Sequence, residues 1–466
     1  MKQPNILWIC TDQQRGDTIR ALGNAHIRTP NLDRLVAEGT AFTRAYCQSP
    51  ICTPSRASFL TGKYASTVRC CRNGNDRWDE AAPLVTKLLR DAGYTCGLVG
   101  KLHLAGTSGR VEPRPADDGY STFEWSHSAR DLWEEGHAYA DWVRSQGGKL
   151  GELRERLGYI PAHLHQTKWC ADRSIDFIRR HAAGDTPWLL SVNIFDPHKP
   201  FDPPPEYRKR YDADKLPGPH FREGDLEAQA RIGAEFQTSP RHPDELDAKE
   251  YQARYHAMIE QVDEHVGRIL DALEESGQRE NTLVLFMSDH GEMLGDHGLL
   301  LKGCRFYEGL TRVPLIVSWP GRIRAGRVCD GLVELTDIAP TLLELGGAPP
   351  GEGLAGRSLA RVLTEGTEPD RTFVRSEYYA ALNPKLLASG RFTTNYATMY
   401  RDKRYKLVVY HGGPVGELFD LENDPHEFDN LWDDPAHRAA RDHLLLASFD
   451  ATARAFDLGP PQTGDY

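Results

Sequence analysis

The 466-residue sequence predicts an α/β fold: a mostly parallel sheet sandwiched by helices, with a smaller C-terminal antiparallel sheet plus helix. Three observations predict it. Short apolar runs that end in polar residues recur along the first three quarters of the chain, as expected of strands buried on both faces. Several are preceded by stretches with helical periodicity, and strands alternating with helices imply parallel pairing with connections over both faces. The last hundred residues instead carry short alternating segments followed by one helical stretch.

Asn5 to Cys10 is the first such run, and it stops at the polar Thr11-Asp12. Thr95 to Val99, Trp188 to Val192, Thr282 to Met287 and Pro314 to Ser318 repeat the pattern. The clearest helix is Tyr251 to Glu275, with Met258, Ile259, Val262, Val266, Ile269 and Leu270 on one face. Between Gly106 and Lys168, and again between Pro200 and Glu250, periodicity fades while Pro, Gly, Trp, His and charge accumulate. Insertions of that length are expected to shape a substrate site. A boundary falls near Glu365 to Asp370, giving a domain of residues 1–370 and a small α+β unit of residues 371–466. In the latter, Thr372 to Tyr378, Ala397 to Tyr400 and Lys406 to Tyr410 read as antiparallel strands, and Pro435 to Arg454 as a helix.

With 39% hydrophobic residues the chain can bury at least one large core. A formal net charge of −11 repels phosphate backbones and anionic lipid, so nucleic acid and membrane are not expected partners. An anionic substrate would need local cations. The apolar start is too short for a secretory signal, and the nine cysteines lack the spacing of a disulfide framework, so a cytoplasmic location is expected. Asp457 to Tyr466 is a candidate contact arm for a homo-oligomer.

Asp12-Gln13 and Asp289-His290 each follow an apolar strand, where ligands bind in open α/β sheets. Either pair alone reads as a helix cap or a turn. Together they could share one cation, and oxygen ligands with one imidazole suit Ca²⁺, Mg²⁺ or Mn²⁺ better than zinc. Cys52-Thr53-Pro54-Ser55-Arg56 precedes a helical run, with Pro54 at the expected first helical position and Cys52 just ahead of it. The thiol would face a helix N-terminus, where backbone N–H groups, the dipole and Arg56 stabilise an anion. Spacing alone fits a capped helix start with a buried cysteine equally well.

The run Cys52 to Gly62, Cys-Thr-Pro-Ser-Arg-Ala-Ser-Phe-Leu-Thr-Gly, resembles the signature of the formylglycine-dependent sulfatases of the alkaline phosphatase superfamily. In that family a dedicated generating enzyme oxidises the cysteine to an aldehyde. Pro30 to Leu35, Gly100 to Leu104, Asp196 to Phe201, Ser288 to Glu292 and Glu417 to Leu421 also look like blocks of the family, in its order. The resemblance implies an alkaline-phosphatase-like fold and hydrolysis of a sulfate ester, and the lack of an export signal favours a small imported substrate over a polymeric glycan. It implies that Asp12, Gln13, Asp289 and His290 hold the cation, with the hydrated aldehyde of residue 52 as a further ligand. Arg56 would orient that hydrate, Lys101 and Lys302 would contact sulfate oxygens, and His198 would serve the leaving oxygen. His103 would help collapse the sulfated intermediate, and Asn73 would touch the substrate.

One departure bears on the metal. Many secreted members carry Asp-Asp with Asp-Asn where this sequence has Asp-Gln with Asp-His, which leaves Ca²⁺ and Mn²⁺ both open. The nearest alternative is a phosphonate monoester or phosphodiester hydrolase with the same nucleophile and metal site. Lys101 and His103 argue against it, since those relatives tend to place uncharged polar groups there. A phosphomutase-like enzyme would want a Ser or Thr nucleophile and two metals. Trp125, Trp133, Trp142 and Trp169 are candidates to stack on a substrate ring.

Overall fold

The computed structural model describes residues 2–80, 82–107, 109–128, 136–382 and 395–456. Its strands, in chain order, are β1 (Asn5–Thr11), β2 (Thr40–Phe42), β3 (Ala45–Tyr46), β4 (Thr95–Gly100), β5 (Tyr120–Trp125), β6 (Trp188–Ile194), β7 (Thr282–Ser288), β8 (Arg312–Val313), β9 (Leu315–Ser318), β10 (Arg327–Cys329), β11 (Val333–Glu334), β12 (Val374–Tyr379), β13 (Tyr396–Arg401), β14 (Tyr405–Tyr410) and β15 (Gly416–Asp420). Eight form the main sheet in the order β10-β2-β9-β7-β1-β6-β4-β5.

Every pairing in that sheet is parallel except those of β9, which runs antiparallel to both β7 and β2. The expected strand at 314–318 therefore exists but reverses direction. No full crossover helix separates it from β7: residues 289–311 hold only a 3₁₀ turn and the short helix Glu308–Thr311, so the chain re-enters the sheet without the helix that usually carries a parallel return.

The apolar runs work as expected of doubly buried strands. Along β1, Ile6, Trp8 and Cys10 enter one hydrophobic cluster while Leu7 and Ile9 enter the other. Strand β7 divides likewise, with Leu283, Leu285 and Met287 against Val284 and Phe286. Helix Ala248–Glu275 covers one face through Val262, Val266, Ile269 and Leu270, and helix Cys52–Thr61 covers the other through Ala57, Phe59 and Leu60. Helix Cys52–Thr61 starts two residues earlier than the sequence suggests. Its N-cap is Ile51, so Cys52 lies inside the first turn and Pro54 is its third residue. Proline is tolerated there because the first N–H groups of a helix have no intrahelical acceptor.

Strands β12 to β15 make an antiparallel meander. Helix Arg438–Arg454 packs on one face through Leu444 and Ala451, while Val374, Tyr378, Met399 and Val408 join Tyr46, Ile51 and Phe306 of the main body on the other. Strand β15 and the short β2, β3, β5, β8, β10 and β11 were not anticipated as strands. Most are too brief to show a period of two. Trp125 and Trp169 are core residues rather than exposed stacking platforms, and Trp142 is half-buried. Trp133 and the arm at 457–466 lie outside the described residues.

Candidate active site

The predicted residues converge at the carboxyl ends of β1, β4 and β7. Asp12 follows β1, Lys101 follows β4 and Asp289 follows β7, all three buried. Glycine at position 100 is required by geometry: φ is +102° and a Cβ would lie 2.0 Å from the Asn193 carbonyl oxygen. That close approach lets the Lys101 N–H donate to the same carbonyl at 3.1 Å and turns the side chain inward.

Asp12, Cys52, Asp289 and His290 each present a ligand atom, all within 4.8 Å of one another. The Cys52 Sγ is 3.1 Å from His290 Nε2, and the Lys302 Nζ donates to both, at 2.9 and 3.0 Å. The His290 Nδ1 donates to the Gly291 carbonyl at 2.9 Å, which leaves Nε2 with its lone pair toward the cluster. Lys101 Nζ lies 2.5 Å from Asp12 Oδ2. Gln13 joins through its backbone N–H, which donates to Asp289 Oδ1 at 3.0 Å. Among the described residues its buried side-chain Oε1 has no hydrogen-bond partner. A buried carbonyl oxygen without a donor, on the residue that follows Asp12, is chemically suited to join that cluster around a divalent cation.

Arg56 is buried, and ties the parts together rather than opening to solvent. Its Nε donates to Asp289 Oδ2 at 2.9 Å, and its Nη1 donates to the Lys101 carbonyl at 2.9 Å and to Asn193 Oδ1 at 3.3 Å. Asn73 Oδ1 accepts the Thr53 N–H at 2.9 Å, capping the first turn that carries Cys52. His198 Nδ1 donates to the Lys199 carbonyl at 2.7 Å, so its Nε2 is the nitrogen left to face a ligand. His103 sits in left-handed backbone at φ +58°, with its ring 4.9 Å from that of His127 and its Nδ1 unpartnered among the described residues.

Electrostatics follow from packing cations around anions in a dry site. Burial opposes ionisation of Asp12, but Lys101, His198, Lys302 and Arg56 hold its carboxyl well below the usual range. Burial and Asp12 push the Cys52 thiol up, and Lys101, Lys302 and His290 outweigh them, so it titrates below an ordinary cysteine. Burial and Lys101 keep His103 well below the ordinary histidine value.

Sequence reasoning missed three residues. Asn193, on β6, receives Arg56. Glu112 accepts the N–H groups of His103 and Leu104 and the Trp125 Nε1, at 2.7, 3.0 and 3.1 Å. Glu292 accepts the Gln13 side-chain amide. Only Glu292 had a local signal, its place two residues after His290; Glu112 follows His103 by nine residues with no recognisable motif, and Asn193 arrives from a distant segment.

Fold and site together define an alkaline-phosphatase-like hydrolase. Comparison with known proteins narrows the class. The family model described as sulfatase matches residues 4–348, and one described as the C-terminal region of N-sulphoglucosamine sulphohydrolase matches residues 295–449. An arylsulfatase of Clostridium perfringens is 31% identical over 95% of this chain and 93% of its own. A multifunctional alkaline phosphatase superfamily protein of Trinickia caryophylli is 32% identical over 96% and 95%. Among solved structures, the phosphonate monoester hydrolase of Silicibacter pomeroyi superposes with a TM-score of 0.84 at 26% identity, covering 98% of this chain and 96% of that one. The chain belongs to the sulfatase family, and it is a sulfuric ester hydrolase.

Proposed function

We propose that this enzyme hydrolyses the sulfate monoester of a small organic molecule, with residue 52 as nucleophile after conversion of Cys52 to formylglycine by a maturation enzyme. The observation that carries this reading is the pair of buried ammonium groups at the nucleophile: Lys302 Nζ 2.9 Å from Cys52 Sγ, and Lys101 Nζ on Asp12. With Arg56 behind them they form a preorganised cationic pocket for three non-bridging oxygens. Asp12, Gln13, Asp289 and His290 would hold one divalent cation, Ca²⁺ or Mn²⁺, which when bound supplies Lewis acidity at the nucleophile. The hydrate of a formylglycine offers one hydroxyl to attack sulfur and a second whose deprotonation reforms the carbonyl and expels sulfate.

This chain's own residues would do the rest. Lys101 and Lys302 would hold the sulfate oxygens, and His198, when protonated, would donate its Nε2 proton to the leaving oxygen. Neutral His103 would take the proton of the second hydroxyl, and Asn73 would offer its NH₂ to substrate. The nine free thiols support a reducing, cytoplasmic compartment. A phosphonate monoester hydrolase is the second reading, favoured by similarity to the solved hydrolases of that name from Agrobacterium radiobacter and Silicibacter pomeroyi. The deciding experiment compares kcat/KM for aryl sulfates and aryl phosphonate monoesters, on protein whose residue 52 has been characterised by peptide mass spectrometry. Preference for sulfate by the aldehyde form is expected. Full turnover by protein bearing an unmodified thiol, or preference for the phosphonate, overturns the reading.

A further inference from the structure

Glu292 is fully buried, lies outside the cation-ligand cluster, and has no part in the chemistry proposed above. Each of its oxygens is nevertheless committed. Oε2 accepts the Gln13 side-chain Nε2, and Oε1 accepts the backbone N–H groups of Leu294, at 3.0 Å, and Leu301. Gln13 and Leu301 are both in left-handed backbone, at φ +71° and +72°, conformations that a non-glycine residue keeps only when its surroundings hold it there. One carboxylate thus ties the residue after Asp12 to the residue before Lys302.

A glutamine differs from an aspartate as a cation ligand in one respect that matters here. Its amide has two ends, one able to ligate and one that cannot, and a terminal amide can turn over. A carboxylate facing the amide decides the matter, because only the NH₂ end can donate to it. The opposite end, Oε1, is then the buried oxygen without a partner.

We infer that Glu292 is the positioning residue of this site: it fixes the Gln13 amide with its oxygen toward the cation and, through the Leu301 N–H, sets the turn that delivers Lys302. The inference rests on the cation site proposed above, and its test reads cation binding rather than turnover. Glu292→Gln sets two NH₂ groups face to face, and Gln13 can relieve this only by turning its oxygen away from the cation. The exchange Gln13→Glu with Glu292→Gln restores every bond. Oε1 of the new glutamine accepts from Leu294 and Leu301, its NH₂ donates to the new glutamate, and the charge of the pair is unchanged.

The experiment titrates Ca²⁺ and Mn²⁺, each alone, into the metal-stripped full-length chain with an unconverted thiol at residue 52. It reads affinity by calorimetry, and the metal-induced rise in Tm relative to each variant's own metal-free state. Glu292→Gln is expected to weaken binding by about 10–100-fold, the usual effect of losing a group that orients a ligand. The exchanged pair is expected to bind within about threefold of wild type, and a merely structural Glu292 would lower the metal-free Tm and leave affinity unchanged. Undiminished affinity in Glu292→Gln overturns the inference and leaves the cation site standing. If Glu292→Gln does not fold, the exchanged pair decides: folding and binding support the inference, and failure of either overturns it. A wild-type chain that binds neither cation overturns the site itself.

Discussion

The two lysines beside Cys52, the proposed nucleophile, are where sulfate and phosphonate chemistry should part. A sulfate monoester presents three non-bridging oxygens, so Lys101, Lys302 and a cation can surround it. A monoanionic phosphonate ester replaces one of those oxygens with an organic arm and gives up one cationic contact. Removing a donor aimed at developing charge costs about 10²–10³ in kcat. Lys101→Ala and Lys302→Ala should each lower aryl sulfate turnover by that factor and aryl phosphonate turnover by less, measured as kcat and kcat/KM for both substrates in both variants. Equal losses on the two substrates would mean that the lysines hold the site together rather than select the substrate.

At the scale of the element, the helix that begins at Cys52 depends on Asn73 and the strand that delivers Lys101 depends on Gly100. Asn73 Oδ1 is already used by the Thr53 N–H, so its NH₂ is what remains for a substrate. Asn73→Asp should keep the cap and the Tm while raising KM for an anionic sulfate. Asn73→Ala should lose both, with about 0.5–2 kcal/mol of stability. Thermal melts alongside KM separate the two roles. At Gly100 an added Cβ meets the Asn193 carbonyl in left-handed backbone. Gly100→Ala should cost about 1–3 kcal/mol in backbone strain and lower kcat by displacing Lys101, read from denaturant unfolding and steady-state kinetics.

For the molecule as a whole, two couplings set stability. The first is the cation. A site saturated a hundredfold above its Kd adds about 2.7 kcal/mol, so chelation should lower Tm and abolish aryl sulfate turnover, and Ca²⁺ or Mn²⁺ should restore both. The second is the seam between the main sheet and the C-terminal meander. Lys406, on β14, is fully buried, with its Nζ 2.7 Å from Glu308 of the main body and 2.7 Å from Glu427. Removing one member of a buried ion pair leaves charge unpaired at about 3–5 kcal/mol. Lys406→Met should therefore lower the midpoint of unfolding by calorimetry, while a shared apolar cluster keeps the transition single.

The strands that build the centre of the fold could be read directly, because burial on both faces makes β1, β4, β6 and β7 continuous apolar runs. Their ends located Asp12 and Asp289, since a chain leaving such a strand turns polar where the site opens, while Lys101 was legible only through the family resemblance. The run around Cys52 stood out through its resemblance to the family signature, since a thiol at a helix start with an arginine one turn on fits a buried structural cysteine equally well. What the sequence could not supply was contact between segments distant along the chain. The reversal of β9 came from the lack of a crossover helix, and the exact helix start came from Asn73, which reaches Thr53 from twenty residues on. Glu112 carries no periodicity and matches no spacing rule, and Glu292 stood in a recognised block without a role. Their roles exist only because folding removes water from buried N–H groups, each of which must then find an acceptor, and only the tertiary structure decides which carboxylate is there to meet it.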